Sequence, residues 1–165
     1  MILIGLGANL ESAQFGSPLE AVGVALERLV EAGLRIKDQS PWYRSAPIPA
    51  SHQPWFINGV ARVDTALAPT ALLALLHRIE AQMGRQRAGR WAARIVDLDL
   101  LSYNDSIVLG EPEKQIVLPH PRLKERAFVL APLLDLVPDW RHPVTGDLVV
   151  HLLSLLLPEQ EIEKI

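Results

Sequence analysis

The sequence predicts an α+β fold, a β-α-β-β-α-β core followed by a C-terminal extension, on three observations. Segments 18–33 and 68–84 carry apolar residues at helical spacing; runs at 1–6, 34–43 and 55–65 read as strands around them; and Val96-Asp97-Leu98-Asp99-Leu100 alternates with period two. In chain order these elements give the split pattern of ferredoxin-like folds, with two helices on one face of an antiparallel sheet. The residues after Tyr103 are expected to cover the other face and complete a three-layer αβα sandwich. At 165 residues, one domain over 1–165 is expected.

Each element has a local reason. The first apolar run ends in Gly5 and Gly7, a strand entering a turn. Pro18 opens the first helix, where Leu19, Val22, Leu26, Leu29 and Val30 repeat at helical spacing, and Gly33 caps it after Ala32. Between the next two strands, Pro47, Pro49 and Pro54 cannot donate ladder hydrogen bonds, so that loop is expected to be irregular and exposed. Ala68-Pro69 starts the second helix, with Leu72, Leu75, Leu76 and Ile79 as its apolar face and an end near Gly84. The extension holds a hairpin around Asn104-Asp105, a turn at Leu118-Pro119-His120-Pro121 and a short helix over 126–134. Its amphipathic stretch at 149–157 is too short for a membrane anchor and reads as core packing.

Composition narrows the chemistry. No apolar run approaches the roughly 20 residues of a bilayer span, and the first residues lack the cationic start of a signal peptide, so a cytoplasmic location is expected. Without cysteine, disulfides and thiolate metal sites are excluded, and any metal must use oxygen or imidazole ligands. A net charge of −3 gives no general attraction for nucleic acid, so an anion site must be local. Twelve of the sixteen cationic residues are arginine, and five of these fall between Arg78 and Arg94, where Glu80 is the sole acid.

On a strand, Asp97 and Asp99 put two carboxylates about 6 to 7 Å apart on one face, a spacing that suits a pair of magnesium ions. A lone Asp-x-Asp reads more readily as a solvated strand face, but the arginines just upstream turn the reading to a phosphate guest. The loop Gly84-Arg85-Gln86-Arg87-Ala88-Gly89-Arg90-Trp91-Ala92-Ala93-Arg94 gathers planar cations that match phosphate oxygens bidentately. Its glycines leave it free to close as a lid. Elsewhere the residues leave alternatives open. His120, between two prolines, is a turn residue or a ligand contact; Phe56 and Asn58 share a strand face and taken singly read as core packing; Gly5-Leu6-Gly7-Ala8-Asn9-Leu10 lacks a full dinucleotide fingerprint. A nucleotidyltransferase or an RNA-binding sheet could use similar residues, although the paired aromatics of an RNA-recognition sheet are missing.

Taken together, Gly5 to Leu10, Tyr43 with Ser45, Gln53 to Asn58, Arg78-Ile79-Glu80 through Arg94, Val96 to Leu101, Leu118 to Pro121 and Arg126-Ala127-Phe128-Val129-Leu130 give the chain a family likeness. It resembles the hydroxymethyldihydropterin pyrophosphokinases of folate biosynthesis, which make a pterin diphosphate and AMP from ATP. The resemblance implies two magnesium ions on Asp97 and Asp99, with Arg85 and Arg94 steadying the transferring diphosphate. It implies ATP contacts from Arg87, Arg90, His120 and Arg126, closure by Trp91, and Glu80 as a partner that orders the site. Ser45, Ala46, Ile48, Phe56, Asn58 and Phe128 would receive the pterin. Ala92-Ala93 stands where the family has Gly-Pro, Ala8 replaces a serine, Phe56 a common tyrosine, and His77 a glutamine found in some members. The partners expected are ATP and the pterin alone, on a monomer, with no nucleic acid or membrane.

Overall fold

Alternation in the first strand decides which side of the sheet each residue serves. In β1 (Ile2–Ala8), Ile2, Ile4, Leu6 and Ala8 are buried together on one face, while Leu3 is buried on the other, whose remaining residues are Gly5 and Gly7. The computed structural model describes residues 1–84, 95–109 and 116–165. β1 pairs antiparallel with β4 (Phe56–Asp64) along one edge and with β5 (Asp97–Tyr103) along the other. The far edge of β4 takes β2 (Arg35–Gln39) and then β3 (Tyr43–Ser45), and β6 (Ile162–Lys164) adds outside β3.

Helices α1 (Pro18–Glu31) and α2 (Pro69–Gln82) contribute to the buried cluster that includes Ile4, Leu6, Leu98 and Leu100. Helices α3 (Ala127–Leu136) and α4 (Val149–Ser154) contribute Leu130, Leu133, Leu152 and Leu153 to a second cluster with Leu3, Val60 and Leu101. The result is the expected ferredoxin-like α+β core with the extension forming the third layer. A capping box starts α1: Ser17 Oγ accepts the Glu20 N–H at 3.4 Å, and the Ser17 N–H donates to Glu20 Oε2 at 2.7 Å, with Pro18 at the first helical position. Gly33, at φ +93°, ends it in the left-handed region where glycine is favoured.

Three expectations need correction, and one strand has no counterpart among them. The run 34–43 is two strands, because Pro41 has no N–H for the ladder. Ser40 bridges the break: its N–H donates to the Val60 carbonyl at 2.9 Å, and its Oγ accepts the Val60 N–H at 3.0 Å. The buried face of α1 is Ala21, Val22, Ala25 and Leu29, while Leu19 and Val30 are exposed; small residues let the helix approach the sheet closely. After β5 the chain does turn at Asn104, at φ +50°, but the returning segment bridges Val108 to Leu118 rather than pairing along β5. Finally, β6 was unforeseen: Ile162-Glu163-Lys164 has no pattern of its own and is a strand because β3 offers it an edge.

The turn at Ser40 seats Trp42 over Gly59. A Cβ at Gly59 would lie 2.6 Å from Trp42 Cε3 and Cζ3, so Gly59→Ala must push the ring aside. Urea unfolding of Gly59→Ala is expected to show a loss of about 1–3 kcal/mol, the usual cost of overpacking.

In the extension, buried His142 accepts at Nδ1 from the backbone N–H groups of Thr145 at 3.3 Å and Val144 at 3.4 Å. Burial, helped by Lys124 and opposed by Asp147, holds its pKa below the ordinary 6.5. The unfolded chain therefore takes up this proton first as pH falls. The contribution of His142 is complete above about 6.5 and is lost as pH drops through the depressed folded value. The slope of unfolding free energy between pH 7.5 and 5.5 is expected to be shallower in His142→Asn, whose amide oxygen can replace Nδ1 without titrating.

Candidate active site

Strand alternation carries the site. Leu98 and Leu100 point into the core beneath α1 and α2, which turns Asp97 and Asp99 to the opposite face, as predicted. Across β1, Gly7 lies opposite Asp97 and Gly5 opposite Asp99; on the next strand Asn58 lies opposite Gly7 and Val60 opposite Gly5. Two residues without side chains therefore form the floor between the carboxylates and β4. Over that floor opens a cavity of about 420 Å³, within the range of small-molecule sites. A Cβ on Gly7 would stand 3.3 Å from Asn58 Oδ1 and fill this floor.

One wall of the cavity is charged. Asp99 Oδ2 accepts from Arg126 Nη1 at 3.0 Å, and Asp99 Oδ1 lies 3.9 Å from His120 Nε2. Nδ1 of His120 accepts the Arg122 N–H at 3.2 Å, which orients the ring. The His120 pKa is depressed, chiefly by burial; Asp99 and Asp97 oppose this, and Arg126 and Arg122 add to it. Asp97 also lines the cavity.

The other wall suits a flat heterocycle. Buried Asn58 donates from Nδ2 to Ser45 Oγ at 2.9 Å, a bond that fixes which way the amide faces. Ala46, Ile48 and Phe56 line this side, and Phe128, far from them in sequence, lines the same cavity. The Arg126 guanidinium lies 5.6 Å from the Phe128 ring centroid, so one cation touches both the aromatic and the carboxylate walls. Asn9, buried at the end of β1, donates to Gln53 Oε1 at 3.0 Å and holds the 46–55 loop over the cleft. That loop is irregular as expected, yet Ala46, Pro47 and Gln53 are only half-exposed because they form its wall.

Of the residues singled out in the sequence, Ser45, Ala46, Ile48, Phe56, Asn58, Asp97, Asp99, His120, Arg126 and Phe128 come together here. Glu80 does not line the cavity. It is buried at 1% exposure beneath β5, where Oε1 accepts the Leu98 N–H at 2.8 Å. Arg85, Arg87, Arg90, Trp91 and Arg94 lie outside the described residues. Gly5 and Gly7 matter here without a dinucleotide fingerprint: their period of two, matched to that of Asp97 and Asp99, is the sequence signal that they share the carboxylate face.

The donor set fits magnesium. Among the described residues no cluster of three or more potential ligands exists. A hard ion that keeps its waters and takes further oxygens from a bound phosphate needs only one or two carboxylates. Asp99 is 31% exposed at its side chain, and the cavity that it lines leaves room for such an ion and its phosphate.

Comparison with known proteins agrees with this geometry. The model of the family described as 7,8-dihydro-6-hydroxymethylpterin-pyrophosphokinase (HPPK) matches residues 3–138. The 2-amino-4-hydroxy-6-hydroxymethyldihydropteridine pyrophosphokinase of Pseudomonas aeruginosa is 43% identical over 142 residues, covering 86% of this chain and 83% of its own. That of Methylorubrum extorquens is 39% identical, covering 82% of each. The folic acid synthesis protein fol1 of Pneumocystis carinii is 38% identical over 88% of this chain, which spans only 18% of that longer protein. The crystal structure of Plasmodium falciparum HPPK-DHPS wild type with pteroate shares the fold, with a TM-score of 0.74 at 15% identity over 94% of this chain and 44% of its own. The chain thus belongs to the 7,8-dihydro-6-hydroxymethylpterin-pyrophosphokinase family.

Proposed function

We propose that this chain, acting as one domain over 1–165, moves a diphosphate group from ATP to 6-hydroxymethyl-7,8-dihydropterin and releases AMP, a step of folate biosynthesis. It is an ATP-dependent diphosphotransferase. One observation carries the reading: a single cavity joins a carboxylate pair and its cations to a wall of aromatic and amide groups.

Asp97 and Asp99 would hold two magnesium ions, which would supply neutralisation of the phosphate charge that develops during transfer. Phe56 and Phe128 flank the pterin, Asn58 reads its amide edge, and Ser45, Ala46 and Ile48 close that side. This leaves the hydroxymethyl oxygen near Asp97 for in-line attack on the β-phosphorus. The new O–P bond forms as the bond from the β-phosphorus to the α,β-bridging oxygen breaks; that oxygen leaves with AMP, and the hydroxyl proton passes to water. Arg126 and His120 grip the nucleotide phosphates from the charged wall. Arg85 and Arg94 steady the transferring group, Arg87 and Arg90 add phosphate contacts, and Trp91 closes the site. Positioning and electrostatics supply the acceleration, with no covalent enzyme intermediate.

The enzyme works as a monomer in the cytoplasm, and among the described residues no helix is long and apolar enough to cross a membrane. Phosphorus NMR of ATP, magnesium, hydroxymethyldihydropterin and the purified chain tests the reaction. AMP and a pterin diphosphate are expected; release of free pyrophosphate with a nucleotidylated pterin would replace this reading by nucleotidyl transfer.

A further inference from the structure

Arg126 is the N-cap of α3, and its own side chain caps nothing, because a guanidinium has no acceptor for a helix N–H; it reaches across to Asp99 instead. The first N–H of that helix would then be an orphan. It is satisfied from 33 residues further along the chain: Gln160 Oε1 accepts the Ala127 N–H at 2.8 Å, and Gln160 Nε2 donates to the Glu125 carbonyl at 2.8 Å. One side-chain amide thus grips the peptide groups on both sides of Arg126. The Arg126 backbone is held extended, at φ −124° and ψ 103°, and this aims its side chain across the cleft.

Gln160 is itself anchored to the opposite wall. Glu161 accepts the Ala46 N–H at 3.2 Å, and Ile162 begins β6, paired with Ser45 on β3. The last residues therefore tie the heterocycle wall at Ser45 and Ala46 to the phosphate wall at Arg126. Gln160 lies beyond the 3–138 segment matched by the family model.

We propose that Gln160 is a positioning residue for the transfer, acting through Arg126. The inference rests on the diphosphate-transfer reading for its kinetic consequence, but its structural half stands apart from it. In the ligand-free protein, the Arg126 guanidinium nitrogen signals, assigned through Arg126→Lys, report its pairing with Asp99. Gln160→Ala is expected to shift and broaden them. With ATP varied, Gln160→Ala is expected to lower kcat/KM about tenfold through misplacement of Arg126. In an Arg126→Ala background the same change is expected to cost less than about twofold, since contacts acting through one group are not additive. Glu163→Gln, which removes the exposed Arg44–Glu163 ion pair between β3 and β6, is expected to leave the rate unchanged.

Unmoved guanidinium signals, or an equal loss in both backgrounds, would overturn the proposal. A loss of the same size in Glu163→Gln would also overturn it, by showing general loosening of β6. If Gln160→Ala does not fold, Gln160→Met keeps the side-chain length without either hydrogen bond and carries the same expectations. If the unaltered chain makes no AMP, the transfer reading fails, while the guanidinium signals still decide whether Gln160 holds Arg126.

Discussion

Asp97→Ala and Asp99→Ala are each expected to lower AMP formation about a thousandfold or more at saturating ATP and magnesium, corresponding to roughly 4 kcal/mol of transition-state stabilisation. The expectation follows from the shape of the floor. Gly5 and Gly7 put no side chain between β5 and β4, and among the described residues no group of three or more potential ligands could take over a metal. The two substitutions should differ in folding. Removing the Asp99 carboxylate leaves Arg126 without its 3.0 Å partner and His120 without its nearest acid, so Asp99→Ala perturbs the ligand-free site as well. Urea unfolding of both variants beside steady-state assays separates the effects. A near-normal turnover number in either, with folding intact, would remove that carboxylate from metal binding.

Why those carboxylates were legible in the sequence is instructive. A period of two in Val96 to Leu100 has one structural solution once one face is buried, and Leu98 and Leu100 at 2% and 3% exposure show that it is. The second helix was equally readable, since Leu72, Leu75, Leu76 and Ile79 all bury. The first helix shows where pattern alone misleads. Leu19 and Val30 fit the helical spacing, yet the packing surface needed is narrow, and Ala21 and Ala25 occupy it. Pro41 was a visible stop inside 34–43, but what holds the chain there is a Ser40 hydroxyl bonded to Val60, a tertiary fact. β6 and Gln160 were beyond local reading for the same reason. Their partners are β3 and the start of α3, distant in sequence, and a three-residue strand has too few positions to show a period.

The candidate site divides along that line. The spacing of Asp97 and Asp99 places them on one strand face and the family resemblance points to Asn58 and Arg126, and all four line one cavity. The residues that hold them in place are set by contacts between elements: Asn9 on Gln53, Ser45 on Asn58, the Arg122 N–H on His120. Side-chain chemistry can be read from a sequence, whereas hydrogen-bond partners separated by tens of residues depend on the fold.

The second large effect is expected at Glu80, on the core side of β5. Its carboxylate accepts the N–H of Leu98, the residue between the two aspartates, from a position at 1% exposure. Glu80→Ala removes that acceptor, leaves a buried donor unsatisfied and opens a void under the strand. Unfolding free energy is expected to fall by about 3 kcal/mol. Because Leu98 is the pivot of the Asp-x-Asp strand, turnover is expected to fall as well, even though Glu80 does not line the cavity. Glu80→Gln keeps an oxygen for the Leu98 N–H and is expected to recover part of both losses. Were Glu80→Ala as stable as the unaltered chain, the bond to Leu98 would contribute nothing measurable. Were it destabilised with its turnover number unchanged, β5 would hold its aspartates in place without support from α2.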